Sequence, residues 1–170
     1  MQIFKCALLV IFLITTGSAQ DDIDKKLRRF NKGSVPYVSV AELKLNEVIL
    51  LDTREKEEYE ISHLKEAVWV GHKEFSIDSV LKYFPNKDKS VVVYCSIGVR
   101  SEIIGEKMIK AGFTDVKNLY GGIFKWKNKG YPIYDSQGKE TDAVHAFSKK
   151  WGKLLTNAVK VYGNKKEEHR

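Results

Sequence analysis

The sequence predicts an α/β fold with a central, mainly parallel five-stranded sheet and helices on both of its faces. Short runs of apolar residues without polar alternation are typical of strands that are buried on both faces. These runs alternate with segments in which apolar residues recur at helical spacing. Parallel strands need such crossover connections, so the alternation indicates a doubly covered sheet.

The elements follow in order from the N-terminal side. Residues 21–32 place Ile23, Leu27 and Phe30 at helical spacing and predict a short helix that rests on the body. A strand is expected near Val38, with Ser39 placed to cap the next turn of helix. The other predicted elements are the strand at 48–51, helix 55–61, strand 67–70, helix 76–84, strand 90–95, helix 101–113 and strand 116–120. Ser76 is expected to cap the second of these helices, and Gly112 to end the third in a left-handed conformation.

A different pattern occupies the C-terminal residues 136–170. Apolar side chains recur there at three- and four-residue steps: Val144, Phe147, Trp151, Leu154, Ala158 and Val161. The spacing predicts one amphipathic helix that packs back on the domain, with a partner-binding or membrane-surface role as the alternative. The polar residues 163–170 are expected to be disordered.

The first nineteen residues have the features of a secretory signal peptide. Lys5 provides a positive charge, residues 6–16 are apolar, and small residues end the segment at Ala19. We expect export with cleavage after Ala19. The first expectation is a periplasmic protein, and the second is a secreted one. The apolar run is shorter than the roughly 20 residues of a membrane-spanning helix, so we expect no stable membrane insertion after cleavage.

Charge and cysteine content limit the possible functions. The net charge is +7, and the excess of basic residues lies mainly in residues 139–170. The sequence contains no nucleic-acid-binding motif, and we predict no nucleic-acid partner. Cleavage would remove Cys6 and leave Cys95 as the only thiol, so no intramolecular disulfide is expected.

The segment VVVYCSIGVRSE, residues 91–102, ends a predicted buried strand on Cys95. In a parallel sheet, ligands bind beyond the carboxyl ends of the strands, where the next helix directs its N-terminus. The backbone N–H groups of four loop residues can curl around the sulfur: Ser96, Ile97, Gly98 and Val99. These donors and the positive helix end would favour a thiolate and lower the pKa of the cysteine.

The side chains and backbone freedom of this loop also fit an anion site. Gly98 tolerates the positive φ that a tight cradle requires. Arg100 offers a planar, permanently charged fork that can hold the oxygens of an anionic substrate. Ser101 can cap the helix or give a hydroxyl to the site. The alternative is a buried cysteine that lies near a surface arginine without any shared function.

The loop from Cys95 to Ser101 resembles the active-site loop of the rhodanese family of single-domain sulfurtransferases. LLDTRE at 50–55, EYEISHLKEA at 58–67 and LYGGIFKW at 119–126 resemble further motifs of that family. The resemblance implies a rhodanese-like three-layer sandwich over residues 37–135. Residues 20–36 then form an N-terminal extension and residues 136–170 a C-terminal one.

The resemblance also implies an activity. Cys95 would take a sulfane sulfur, become a persulfide, and pass the sulfur to cyanide or a thiol, including a protein thiol. The loop amides of residues 96–100 would hold the persulfide, with Arg100 binding a small anionic donor such as thiosulfate. Asp52 and Arg54 would lie at the rim as an ion pair that orients the loop. No metal or organic cofactor is implied.

The sequence departs from the family pattern at two places. Ser62 and Glu66 stand where the family commonly has glycine, which affects the geometry of a turn remote from the loop. His63 corresponds to a structural residue of the family. The remaining histidines, His72, His145 and His169, show no spacing typical of a metal site.

Two other functions remain open at this stage. Cysteine phosphatases use a similar cradle, but with five residues between cysteine and arginine where this loop has four. The shorter loop suits one sulfur atom better than a tetrahedral phosphate, and no obvious aspartic general acid is present. A rhodanese-like binding or sulfur-carrier module is the second alternative. Such modules often lose the cysteine or the arginine, and this chain has both.

Overall fold

The computed structural model describes residues 15–43 and 47–163. Most of the predicted signal peptide and the predicted disordered end therefore lie outside the described residues. The helices are α1 Thr15–Phe30, α2 Val40–Leu43, α3 Lys56–Ile61, α4 Ile77–Tyr83, α5 Val99–Lys110, α6 Gly122–Asn128 and α7 Lys149–Gly152. The strands are β1 Tyr37–Val38, β2 Ile49–Asp52, β3 Val68–Trp69, β4 Val91–Tyr94, β5 Val116–Leu119, β6 Ile133–Tyr134, β7 Glu140–Thr141, β8 Ala143–His145 and β9 Val159–Val161.

A five-stranded sheet in the order β1-β5-β4-β2-β3 forms the centre of the molecule. All four pairings in this sheet are parallel, which confirms the predicted fold class. Asp52 of β2 is paired in register with Tyr94 of β4, and Val93 with Asn118 of β5. The register brings Asp52, Cys95 and Asn118 to one edge of the sheet.

The central strand β4 is buried on both faces, as its apolar run predicts. Val91 and Val93 pack into the core on one face with Ile104 and Met108 of α5. Val92 and Tyr94 enter the core on the other face. The second core also takes residues from both extensions: Ile23, Leu27, Val144, Ala146, Leu154 and Leu155. The two layers of side chains therefore enclose the sheet.

The N-terminal extension is tied to the helix that follows the cysteine loop. Ile23 and Leu27 are buried, which confirms the predicted helix, although α1 begins at Thr15 and runs through the predicted cleavage position. The Glu102 carboxylate accepts hydrogen bonds from the backbone N–H groups of Lys32, Gly33 and Ser34 at 3.0, 2.7 and 3.1 Å. These contacts hold the extension against α5.

The predicted helix ends are confirmed. The Ser39 hydroxyl accepts the N–H of Glu42 at 3.2 Å, and Ser76 accepts the N–H of Ser79 at 3.3 Å. Gly112 has a φ of 93° two residues after α5, which ends at Lys110. The hydroxyls of Ser39 and Ser76 satisfy backbone N–H groups that would otherwise lack partners at the helix starts.

The prediction of one long C-terminal helix is wrong. Residues 143–161 form β8, the single turn α7 and β9, and the two strands pair in parallel. Four of the six apolar residues of the pattern pack in one core although no helix connects them: Val144, Trp151, Leu154 and Ala158. Gly152 interrupts the segment where the chain passes close to Tyr162, whose hydroxyl would lie 2.6 Å from an added Cβ.

Within the described part of the chain, no helix has the length and apolar character needed to cross a membrane.

Candidate active site

Cys95 follows the last residue of β4 and lies at the carboxyl edge of the sheet. Its Sγ accepts a hydrogen bond from the N–H of Gly98 at 3.2 Å. Gly98 has a φ of 113° and precedes α5, which confirms the positive φ predicted for this glycine. The loop therefore curls around the sulfur and begins a helix whose positive end faces it.

The start of α6 holds the loop from outside. The N–H of Ile123 donates to the carbonyl of Cys95, and the N–H of Phe124 donates to the carbonyl of Ser96, both at 3.0 Å. Gly122 brings this helix so close that an added Cβ would overlap the Cys95 carbonyl oxygen. Gly122 of the LYGGIFKW motif is thus needed for the close approach of two backbones.

A third loop carbonyl, that of Gly98, is held by two asparagines. Asn118 of β5 and Asn31 after α1 each donate a side-chain N–H to it at 2.8 Å. Asn118 also accepts the Ser101 hydroxyl at 2.8 Å. With its carbonyls bound on the outside, the loop can direct N–H groups toward the sulfur.

The surroundings of Cys95 favour a thiolate. The side chain is only 2% exposed, and burial by itself raises the pKa of the thiol. The positive charge of Arg100 and hydrogen bonds from Ser101 and Gly98 oppose that effect, and the resulting pKa is lower than that of an ordinary cysteine. A lowered pKa increases the fraction of thiolate, which is the nucleophilic form of the side chain.

Arg100 is held by Glu58, a residue that the sequence analysis missed. The two side chains form a bidentate ion pair at 2.6 and 2.9 Å, and Ser96 lies between them. Burial would raise the pKa of Glu58, but Arg100 and Arg54 lower it to about 2. Glu58 is the first residue of the EYEISHLKEA motif, and its place in that motif was the one feature of the sequence that could have indicated a role at the site.

Asp52 and Arg54 form the predicted ion pair, but both side chains are fully buried and do not lie at the rim. Arg54 Nη2 lies 2.6 Å from Asp52 Oδ2 and donates to the carbonyl of Ser62 at 2.6 Å. The pair therefore fixes the turn after α3. Glu58 lies on that helix and contacts both Arg100 and the Ser96 hydroxyl of the cysteine loop.

The C-terminal extension brings two more residues to the site, and the sequence analysis missed both roles. The Phe147 ring lies with its centroid 5.3 Å from the guanidinium carbon of Arg100. His145 Nδ1 lies 3.9 Å from Glu58 Oε1, and burial lowers the pKa of this histidine. The spacing of apolar residues assigned Phe147 to a helix face, and nothing local indicates its contact with Arg100.

The other residues singled out from the sequence lie in the core, in a helix or in a turn. Ile97 is buried in the core beside Leu27, and Val99 begins α5. His63 stacks on Tyr59 with 4.1 Å between ring centroids, in keeping with a structural role. Glu66 has a φ of 60°, a conformation that glycine adopts more readily.

Among the described residues, no cluster of three or more His, Cys, Asp or Glu side chains could hold a metal ion. His169 lies outside the described residues.

The fold and the site define a parallel α/β domain with a cysteine in a backbone cradle at the sheet edge. The family model for the rhodanese-like domain matches residues 39–129, and the chain belongs to this family. The match covers the cysteine loop and the Glu58 segment but not Phe147 or His145.

Two curated relatives that are much longer than the matched region have names that describe different activities. "Adenylyltransferase and sulfurtransferase UBA4" of Candida albicans is 33% identical over 113 residues, which cover 64% of this chain and 25% of that protein. "tRNA uridine(34) hydroxylase" of Wigglesworthia glossinidia brevipalpis is 34% identical over 97 residues, 52% of this chain and 30% of that protein. This chain therefore spans less than a third of either relative.

A shorter relative and a solved structure agree with the fold. "Thiosulfate sulfurtransferase GlpE" of Coxiella burnetii is 29% identical over 87 residues, which cover 50% of this chain and 77% of that protein. The thiosulfate sulfurtransferase structure from Pseudomonas aeruginosa has a TM-score of 0.57 at 20% identity and covers 82% of this chain and 26% of that one. At this identity the structural likeness shows the shared fold.

Proposed function

We propose that this protein is a sulfurtransferase that moves a sulfane sulfur from thiosulfate or a persulfide donor to a thiol or cyanide. The sulfur travels as a persulfide on Cys95. The main support for this proposal is the environment of the Cys95 sulfur. The pKa of Cys95 is lowered, and its Sγ accepts a hydrogen bond from the Gly98 N–H at the start of α5. The sulfurtransferase names of two relatives support the same chemistry.

In the proposed first step, the Cys95 thiolate attacks the outer sulfur of the donor. A new S–S bond forms on Cys95, the donor's own bond to that sulfur breaks, and its electron pair leaves with sulfite or with the donor thiolate. An acceptor thiolate or cyanide then attacks the outer sulfur of the persulfide and regenerates the Cys95 thiolate. Inward N–H groups stabilise the anionic sulfur at each stage.

The test is the mass of the Cys95 peptide after incubation with thiosulfate or with glutathione persulfide. We expect a mass gain of one sulfur atom, which cyanide or a thiol then removes over repeated turnovers. Cys95→Ser should abolish both while the thermal unfolding curve stays close to that of the parent, because a hydroxyl of similar size cannot form a persulfide. Sulfur transfer by that variant would contradict the mechanism.

Two other results would reject turnover by this chain. A persulfide that forms once and is not passed on would indicate a sulfur-carrier or binding module. Hydrolysis of an aryl phosphate without sulfur transfer would indicate a phosphatase.

We also propose that the protein is exported, on the pattern of residues 1–19. Cleavage after Ala19 would leave Ile23 and Leu27, two buried residues of α1, in the mature chain. Mass spectrometry of protein expressed in a secreting host should find an N-terminus at Gln20. A chain that remains in the cytoplasm at full mass would contradict export.

A further inference from the structure

One side of the cysteine site is formed by an aromatic ring, that of Phe147, which we call the aromatic wall. Phe147 lies outside residues 39–129, which the family model matches. Phe147 lies between β8 and α7 in the C-terminal extension, and its ring covers the Arg100 guanidinium at 5.3 Å. The Phe147 side chain is 53% exposed, so one part contacts Arg100 and the rest faces solvent. A molecule that approaches Arg100 from this side meets the ring first.

The backbone holds this ring in an unfavourable conformation. Phe147 has a φ of 63°, which is rare for a bulky residue and costs about 1–2 kcal/mol. The residues before it are firmly placed: Val144 and Ala146 are fully buried, and the Ala146 N–H donates to the Val161 carbonyl at 2.8 Å. Strained residues persist where the surroundings over-determine them, and they cluster at functional sites.

Arg100 is poorly placed to receive a dianion. Its Nη1 and Nη2 atoms are bonded to Glu58, and Nη2 is also bonded to the Ser96 hydroxyl. The Arg100–Glu58 pair is neutral as a unit, and the ring of Phe147 covers the guanidinium. The face of an aromatic ring carries partial negative charge and repels an anion. Three of the five N–H donors of Arg100 are thus used within the protein, and thiosulfate would have to compete with Glu58, Ser96 and the ring for the guanidinium.

We propose that Phe147 is a specificity-determining residue that selects an organic persulfide as sulfur donor over thiosulfate. The proposal rests on the proposed sulfur transfer and names its donor class. The organic part of the donor would pack on the exposed part of the ring, which is favourable for apolar groups. The Cys95 thiolate attacks the outer sulfur of R–S–SH, the bond between the two donor sulfurs breaks, and R–S⁻ leaves with the electron pair.

The experiment compares kcat/KM for glutathione persulfide and for thiosulfate with one acceptor, using the full chain. The parent should prefer the persulfide by about tenfold or more. Phe147→Gly and Phe147→Asn remove the ring and suit the left-handed backbone. Both should lower this preference about tenfold, through a higher KM for the persulfide and a lower KM for thiosulfate.

Two control variants distinguish a specific effect of the Phe147 ring from a general effect of substituting an exposed aromatic residue. Phe147→Tyr keeps the ring and should keep the donor preference. Tyr83→Ala removes an exposed aromatic residue of α4 and should change neither donor. An unchanged preference in both ring-less variants, or a parent that prefers thiosulfate, would overturn the role of Phe147 and leave the sulfur transfer standing. Failure of both donors to load Cys95 would overturn the proposed function, and this inference with it.

Discussion

Cys95 lies among groups that stabilise its ionised form, and its reactivity should follow pH accordingly. Burial raises the pKa of the thiol, but Arg100, Ser101 and Gly98 lower it further than burial raises it. The thiolate is the form that iodoacetamide alkylates, so the rate should rise with pH and then level off. We expect the midpoint of that rise to lie below that of an ordinary solvent-exposed cysteine measured in the same way.

Replacing Arg100 by glutamine should move this midpoint to higher pH, because the substitution removes the largest influence that lowers the pKa of Cys95. A rise of one pKa unit would slow alkylation at neutral pH by up to about tenfold. Lys82→Gln removes an exposed charge of α4 and should leave the profile unchanged. Peptide mass spectrometry at Cys95 gives the rates, and equal midpoints in Arg100→Gln and the parent would contradict this electrostatic account.

Local spacing predicted Cys95, Gly98 and Arg100 because these residues share one strand, loop and helix start. Spacing could not identify the partners of Arg100. Glu58 lies 42 residues earlier in the chain, and Phe147 lies in the C-terminal extension. Their contacts with Arg100 depend on how separate elements pack, which a pattern within one segment does not encode.

Helices α5 and α6 both hold the cysteine loop in place. Helix α5 directs its N-terminus at Cys95, whereas α6 binds the loop carbonyls through the N–H groups of Ile123 and Phe124. The two glycines before Ile123 have φ values of 79° and 53° and let the helix start against the loop backbone. The cradle is therefore a product of two helix starts on one sheet edge.

Gly122→Ala should destabilise the protein strongly, because the added Cβ overlaps the Cys95 carbonyl oxygen and the backbone is left-handed. We expect a loss of more than about 2 kcal/mol in the free energy of unfolding, measured by urea denaturation. Gly138→Ala is the matched control, since Gly138 has a φ of 75° and open space around its Cα. It should lose only about 1 kcal/mol. Equal losses in the two variants would show that the α6 contact is not tight.

The strands of the central sheet and the helices between them were predictable because each buries its own apolar pattern against the sheet, whereas α6 and β6 were not predicted. The C-terminal segment was not, because its apolar residues are too few to distinguish a helix from two short strands joined by a turn. Val144 and Leu154 are buried in either arrangement. The pairing of β8 with β9, which decides between the two, is a contact between distant residues.

On the scale of the whole molecule, the domain and both extensions share a single core layer. Leu155 and Val144 from the C-terminal side, Leu27 from α1 and Ile97 from the cysteine loop belong to one cluster with Tyr94 of β4. The wall residue Phe147 is anchored in the same layer through Ala146. The extensions should therefore unfold together with the domain, and their loss should disturb the cysteine site.

Leu155→Ala tests this coupling. Leu155 is fully buried, and its truncation should cost about 3 kcal/mol through lost apolar burial and the cavity left behind. Because the core is shared, we expect one cooperative transition at lower urea, with the same midpoint by circular dichroism and by tryptophan fluorescence. Val159→Ala removes a side chain of β9 that is 62% exposed, and should change the free energy by less than about 0.5 kcal/mol. A separate early transition in Leu155→Ala, with the main transition unmoved, would show that the C-terminal extension folds independently of the domain.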